Sequence, residues 1–222
     1  LFDHAMRNPH ITAAFWRGVN TNQNAVYMES FMDELADAAG QDPLAFRMKM
    51  LKPKWAAVLK AAADKAGYGK PLPAGHFHGL AQVMGYGSYV AGVAEVSVSP
   101  DGQLRIHKIT AATNCGHVVN PAQIDRQVAG SFAYGLSAGV YGEITVKDGA
   151  VEQTNFDSYN VMRMDEMPEV ETVLVPTGDF WGGVGEPTIA VAAPAVLNAI
   201  ARATGNRVRN LPLMHHELKK AS

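Results

Sequence analysis

The amino-acid sequence predicts an α+β fold of mixed helices and antiparallel hairpins, and three observations carry that reading. In the first third, apolar residues recur at helical spacing, and Asp or Pro stands where helices begin. The middle changes to the two-residue alternation of strands, broken by Pro-Asp-Gly and Asp-Gly turns. Helical spacing then returns over residues 121–139 and again in an apolar segment near the end. Helices followed by hairpins that are themselves interrupted by helices belong to the α+β class.

Residues 24–39, "NAVYMESFMDELADAA", set Val26, Phe31, Leu35 and Ala38/Ala39 near helical spacing with acids between them, and Gly40 stops the helix. "DPLAFRMKML" (42–51) restarts with Asp42 as N-cap and Pro43 at the first helical position. "PKWAAVLKAAADKAG" (53–67) repeats that grammar, and "GKPLPAG" links it to the strands. "HFHGLAQVMGYG", "VAGVAEVSVSP" and "QLRIHKITAAT" are rich in β-branched residues and alternate, with "SPDG" (99–102) turning between the last two. The helix over 121–139 carries Ala129, Gly130, Ala133 and Gly135, small enough for another backbone or a flat ligand to come close. "EITVKDGAVEQTNF" is a second hairpin turning at Asp148-Gly149. "EVETVLVP" is a further strand, followed by a Gly turn and the last helix.

The totals exclude several classes. With 222 residues, 47% of them hydrophobic and 18% charged, the chain is globular and long enough for a real core. A net charge of −2 gives no basic footprint for nucleic acid or an anionic membrane. The longest apolar segment, Ile189 to Ala203, is shorter than the ~18 residues of a membrane span and is broken by Pro194 and Asn198. A single cysteine, Cys115, excludes an internal disulfide framework, an iron–sulfur cluster held by this chain alone and a Cys-rich zinc site. Cys115 lacks an evident base partner and reads as a buried structural thiol. His76 and His78 share a strand face, but no carboxylate or third histidine lies at ligand spacing, and the adjacent His215 and His216 diverge. A metal site made of protein side chains is therefore not expected. The opening "LFDHAMRNPHITAAFWRG" reads as part of a longer chain, so the cellular compartment is not legible.

Chemistry gathers around "GGVGEP" (182–187). Glu186 precedes an apolar helix that offers a carboxylate little water, and glycines at 182, 183 and 185 strip side chains from its approach. The plainer reading is an acid favoured by a helix dipole; the sharper one is a poised general base. Gln127, facing a Gly/Ala groove, can offer an amide donor and acceptor to a polar heterocycle, or can be ordinary helix packing. Arg17, between Trp16 and Gly18, can orient a carbonyl or developing negative charge, or can stack at the surface. The glycines do not spell a dinucleotide fingerprint or a phosphate-binding P-loop.

These residues together resemble the C-terminal part of the molybdopterin-binding large subunit of molybdenum hydroxylases, the xanthine dehydrogenase and aldehyde oxidase family, and within it the isoquinoline 1-oxidoreductase beta subunits. The likeness runs roughly from Ala14 to Leu213 and rests on several ordered motifs. They include "WRGVNTNQNAVYMESFMDELA", "VAEVSVSPDG", "NCGHVVNPAQIDRQVAGS", "GGVGEP" and "PAVLNAIARATGNRVRNLPL".

The resemblance implies roles. Glu186 matches the glutamate of the family's GxGE element, the base beside molybdenum, with Gly183 and Gly185 at the cofactor. Gln127 matches a glutamine that contacts the pyranopterin. Arg17 and Val19 fall in the arginine-glycine turn on the substrate side, and Val19 stands where the purine oxidases carry an aromatic residue. Asn114 stands where many relatives carry Asp. The implied cofactor is molybdenum–molybdopterin in its cytosine dinucleotide form, held by its pterin without protein ligands to the metal. The implied reaction is oxidative hydroxylation of an N-heteroaromatic or aldehyde substrate with oxygen from water. Iron–sulfur clusters are expected on a separate polypeptide, and further cofactor loops on the remainder of the large subunit. On this reading residues 1–70 are a helical lead-in and 71–222 an α+β cofactor-binding domain, one compact piece that is inactive alone. The alternative is a non-catalytic scaffold or assembly piece that keeps the fold. A hydrolase using Glu186 lacks a nucleophile motif or metal site.

Overall fold

The computed structural model describes residues 14–219, so the opening stretch up to residue 13 lies outside the described residues. Three helices come first: α1 (Thr21–Ala38), α2 (Pro43–Met48) and α3 (Pro53–Ala66). Strands β1 (His76–Gly85), β2 (Ser88–Val98) and β3 (Leu104–Asn114) follow, then α4 (Pro121–Tyr141) and a small hairpin of β4 (Val146–Lys147) and β5 (Ala150–Val151). β6 (Glu169–Leu174) leads through the Gly turn to a 3-10 turn, Pro187–Val191, that runs directly into α5 (Ala192–Thr204). Local chemistry explains the helix starts. The Asp42 carboxylate accepts the Ala45 amide hydrogen at 2.9 Å, and Asn120 caps α4 by accepting from Gln123 at 3.2 Å. Pro43, Pro53 and Pro121 each open a helix, where a missing N–H removes no bond.

The main sheet runs β1-β2-β3-β6. β1, β2 and β3 pair antiparallel, as the hairpin turns dictate, whereas β6 lies parallel to β3, from Lys108 opposite Glu169 to Thr113 opposite Leu174. The expectation of antiparallel hairpins therefore covers the first three strands, and the sheet as a whole is mixed. The chain leaves β3, returns through α4 and the β4–β5 hairpin, and so enters the free edge of β3 in the same direction. Alternation within a strand carries no information about which way its partner runs.

Helices cover both faces. On one, Val58, Leu59 and Ala62 of α3 pack on Leu80, Val93 and Ala112. On the other, Phe132 and Leu136 of α4 and Ala195, Ala199 and Ile200 of α5 pack on Ala81, Val90 and Ile109. α5 lies almost on the strand backbone: a Cβ at Gly79 would sit 2.1 Å from the Ala199 amide nitrogen. That close approach is the reason for a bare residue on β1 opposite an alanine-rich helix.

α1 departs from its expected orientation. Its buried face is Ala25, Glu29, Asp33 and Ala36, while Tyr27, Met28, Phe31 and Leu35 are exposed. The cause is Arg47 of α2, itself buried. Its Nε meets Glu29 Oε2 at 3.1 Å, its Nη1 meets Asp33 Oδ1 at 3.4 Å, and its Nη2 donates to the Glu29 carbonyl at 2.8 Å. The Glu29 carboxylate also accepts the Gln82 amide hydrogen at 3.0 Å, tying α1 to the edge of β1. Buried charges that are paired and hydrogen-bonded can occupy a helix face that periodicity assigns to apolar side chains.

Candidate functional site

The Gly turn is held from two sides. At the end of β3, the Cys115 carbonyl accepts the Gly182 amide hydrogen at 2.9 Å; from the β1–β2 hairpin, the Tyr86 carbonyl accepts that of Gly183 at 2.8 Å, and Ser88 Oγ donates to the Gly183 carbonyl at 2.6 Å. Asn114 shapes the exit from β3, its Oδ1 accepting from Gly116 N–H at 2.9 Å and Thr177 Oγ1 at 3.3 Å. Cys115 is buried, its thiol donates to the His117 carbonyl at 3.3 Å, and burial pushes its pKa up, which suits an inert structural thiol.

The glycines of the turn do different work. A Cβ at Gly182 would lie 2.2 Å from Ser88 Oγ and 2.9 Å from the Gly87 carbonyl, so this position is bare because two backbone segments touch. At Gly183 the nearest atom would be Tyr86 Cβ at 3.3 Å, and at Gly185 only Gln127 Oε1 at 3.9 Å. Open approach thus belongs to Gly185, and the expectation of free access at all three is corrected at Gly182.

Glu186 ends the turn. It precedes a 3-10 turn whose five residues are all buried, yet its carboxylate caps none of that turn's N–H groups; instead Oε1 accepts the Gly18 amide hydrogen at 3.0 Å. This disfavours the plainer reading of an acid placed for its own helix. The carboxylate is half-buried in this chain, wetter than the nearly dry setting inferred from sequence, because the apolar wall lies only behind it.

Arg17 completes the convergence. It sits in a tight turn in which Val19 N–H donates to the Trp16 carbonyl at 2.7 Å, with φ of +93° at Gly18 and +47° at Val19. A β-branched residue in that region is strained. The guanidinium donates through Nε to the Gly185 carbonyl at 2.7 Å, and Nη2 bonds the same oxygen and Gln127 Oε1, the latter at 3.0 Å. Gln127 is exposed on α4, and its amide nitrogen donates to no group among the described residues. Residues chosen separately from sequence, 110 and 168 positions apart, are therefore bonded to one another. Val19 is exposed and makes no hydrogen bond to Glu186.

The small residues of α4 divide. Gly135 serves packing, since its Cβ would meet Ala192 Cβ at 2.8 Å, whereas Gly130 faces open space. Gly130, Ala133 and Tyr134, with Trp16 and Arg17, line a groove of about 540 Å³ that reaches Met162; Glu186 lies outside its wall. Trp16 stacks on Tyr134, ring centres 4.6 Å apart.

Two arrangements escaped sequence reasoning. Tyr86 and Ser88, in "GYGSY", contact the Gly turn, and only a glycine-rich break between two strands hinted at them. Likewise Glu95 comes within 2.6 Å of His76 Nδ1, and His107 stacks on His76 at 4.0 Å, so cross-strand neighbours supply the carboxylate and third histidine that linear spacing lacks. Stacked rings do not converge on one point, and among the described residues no group of His, Cys, Asp or Glu is arranged to hold a metal ion.

Comparisons with known proteins identify the family of the chain and its fold. The family model described as molybdopterin cofactor-binding domain matches residues 13–168, which include Arg17, Val19 and Gln127 and end before the Gly turn. The chain is similar to the isoquinoline 1-oxidoreductase beta subunit from Brevundimonas diminuta, 30% identical over 91% of this chain and 27% of that protein. It is also similar to one subunit of the nicotinate dehydrogenase from Pseudomonas putida, 27% identical over 96% of this chain and 20% of that protein. The chain thus spans about a quarter of the length of these relatives. Among solved structures, the aldehyde oxidoreductase of Desulfovibrio gigas shares the fold, with a TM-score of 0.72 at 15% identity over 89% of this chain and 40% of that one.

Proposed function

Because this chain belongs to the molybdopterin cofactor-binding domain family of molybdenum hydroxylases, we propose that it supplies the base and part of the cofactor cradle for oxidative hydroxylation of an N-heteroaromatic or aldehyde substrate, with water as the oxygen source. The observation that carries the reading is that one turn binds all three: Arg17 bonds both Gln127 and the Gly185 carbonyl, and its neighbour Gly18 bonds Glu186. Two of the similar proteins are named for isoquinoline and nicotinate, which favours an N-heteroaromatic ring.

The residues present suit an oxygen-rich, anionic group. Gly185 leaves a space that a Cβ would fill, the Gln127 amide nitrogen has no acceptor among the described residues, and Arg17 adds positive charge beside them. Molybdopterin, when bound, supplies the two-electron oxidation and the transfer of oxygen from water. Around it, Arg17 holds the Gln127 carbonyl oxygen so that its amide nitrogen is free to donate to the pterin. Gly18 holds Glu186 Oε1, which leaves Oε2 to take the proton of the attacking water. Gly183 and Gly185 present bare main chain, and Val19 borders the substrate side with a small aliphatic surface. The cytosine dinucleotide form of the cofactor, an iron–sulfur subunit that removes electrons, and the remainder of the large subunit complete the proposed enzyme; this piece alone is inactive.

Glu186→Gln in the complete enzyme tests the base. Turnover should fall by about 100-fold or more while molybdenum and pterin content persist; an unchanged steady-state rate overturns the assignment. A second reading, a non-catalytic assembly piece, draws on the half-exposed Glu186 and the non-aromatic Val19. Metal analysis separates the two: co-expression with the other subunits should give stoichiometric molybdenum, and none would favour the scaffold.

A further inference from the structure

A helix on the surface of a globular protein turns its apolar side chains inward and its charges outward. α1 does the reverse. Glu29 and Asp33 are buried on Arg47, while Tyr27 is 66% exposed, Met28 60%, Phe31 57% and Leu35 38%. Tyr27, Phe31 and Leu35 follow one another at every fourth position and Met28 stands one turn before Phe31, so the four side chains form a single stripe along the helix. α1 cannot roll that stripe into the core without stripping buried charges of their partners.

The stripe is part of a larger apolar surface. Tyr27 and Phe31 border a hollow of about 300 Å³ whose other walls include Val26 and Val208. Val26 also lines a second hollow, of about 190 Å³, that reaches Leu211 and Trp16. Trp16 belongs to the turn that carries Arg17 and Gly18, and Gly18 holds Glu186. Apolar surface thus runs from the candidate site along α1. At its margin Glu34 and Arg209 are joined by two hydrogen bonds of 2.5 and 2.9 Å, so this pair adds no net charge that would attract a charged partner.

Contiguous apolar surface of this kind marks a contact with another protein surface. The chain spans about a quarter of the length of its relatives, so most of a subunit of that size lies outside it. On the function proposed above, that remainder has to reach the turn at Trp16–Val19 to complete the cofactor site. We infer that the outward stripe of α1 is the surface on which the remainder of the large subunit docks, through an apolar face of its own. Aromatic, Met and Leu side chains beside an already matched ion pair suit a permanent, desolvated contact. This docking presupposes that the remainder completes the site, but not that Glu186 is the base.

Methionine is oxidised by peroxide where its sulfur is accessible, which makes Met28 a native probe. In the complete cofactor-loaded enzyme, mild hydrogen peroxide should leave Met28 unmodified under conditions that convert it to the sulfoxide once the enzyme is unfolded in urea, as read by peptide mass spectrometry. Oxidation in the folded enzyme as fast as in the unfolded one overturns the inference. Phe31→Glu should lower the melting temperature and the molybdenum content of the complete enzyme, because it places a charge in the contact; a variant that melts and loads like wild type overturns the docking as well. A benzophenone amino acid in place of Tyr27 identifies the occupant. On irradiation the large subunit should keep its single-chain mass on a denaturing gel, and the peptide joined to position 27 should come from outside residues 1–222. A band at the summed mass of the large and iron–sulfur subunits, one at twice the large subunit, or a crosslink confined to residues 1–222 overturns the choice of occupant. Glu186→Gln should leave all of these readouts as in wild type, so failure of the base assignment and failure of the docking are told apart.

Discussion

The amide hydrogen of Gly18 is donated to Oε1 of Glu186 at 3.0 Å, across 168 residues of sequence. The bond requires the left-handed conformation of Gly18, at φ +93°, and an added Cβ would lie 2.4 Å from Asn22 Oδ1. Asn22 is itself committed, its Nδ2 donating to the Arg17 carbonyl at 2.8 Å. Gly18→Ala should therefore displace the 16–19 turn, cost about 1–3 kcal/mol of stability, and lower turnover of the complete enzyme. Thermal unfolding and steady-state rates check both effects; a variant that melts and turns over like wild type would show that the turn does not need glycine.

The second prediction concerns the anchoring of α1. Arg47 is the shared partner of Glu29 and Asp33, all three buried, and Asp33 is further bonded by Arg207 at 2.6 Å. Replacing Arg47 by Met leaves carboxylates in the interior with too few partners, which costs about 3–5 kcal/mol when a buried pair is broken on one side. Burial already holds the Glu29 carboxyl above the usual carboxylate range, with Arg47 the chief opposing influence. A raised folded-state pKa means stability is greatest at low pH and declines as pH rises through that value. The loss in Arg47→Met should thus grow between pH 5 and 7 in urea titrations; a pH-independent loss under about 1 kcal/mol would remove the ion cluster from the account of how α1 is held.

How much of this was legible in the sequence depends on whether a signal is local. Asp42, Asn120 and the Asp148-Gly149 turn announce themselves because a cap or a tight turn is decided within a few residues. The parallel docking of β6, the charged inner face of α1 and the contact of Tyr86 with the Gly turn depend on residues far apart in the chain. Glu186, Gln127 and Arg17 could each be singled out by residue type and surroundings. Nothing in the spacing of Arg17 and Gly185 says that a guanidinium will meet a carbonyl 168 residues away.

The third prediction follows from the β3–β6 seam. Glu171 lies 2.7 Å from Lys65 and 2.9 Å from Lys108, and these two lysines hold its carboxyl below the usual carboxylate range. A depressed folded-state pKa contributes stability that is present above the unfolded value and is lost as pH falls through the folded one. Glu171→Gln should cost no more than about 1 kcal/mol at pH 7 for so accessible a cluster, and the cost should shrink as the pH is lowered to 3. Raising salt at pH 7 should shrink the difference as well. Urea unfolding curves at both pH values decide it; an equal penalty at pH 3 would assign the effect to packing and not to charge.

The last prediction separates two glycines that the sequence presents alike. Gly182 is bare because the β1–β2 turn presses on it: a methyl there would meet Ser88 Oγ at 2.2 Å and the Gly87 carbonyl at 2.9 Å. Gly185 has no such neighbour, its nearest atom being Gln127 Oε1 at 3.9 Å, and its φ lies outside the left-handed region. Gly182→Ala should therefore force the hairpin and the Gly turn apart, with a loss of about 1–3 kcal/mol of the kind seen when extra carbon is driven into a packed site. Gly185→Ala should leave the melting temperature unchanged and act only where the cofactor meets bare main chain, lowering molybdenum and pterin content of the assembled enzyme. Differential scanning calorimetry and metal analysis on the two variants give a crossed result: one loses stability, the other loses cofactor. Equal cofactor content in Gly185→Ala and wild type would mean that the open side of the turn is not where the pterin approaches, and the cradle would have to be sought along the α4 groove instead.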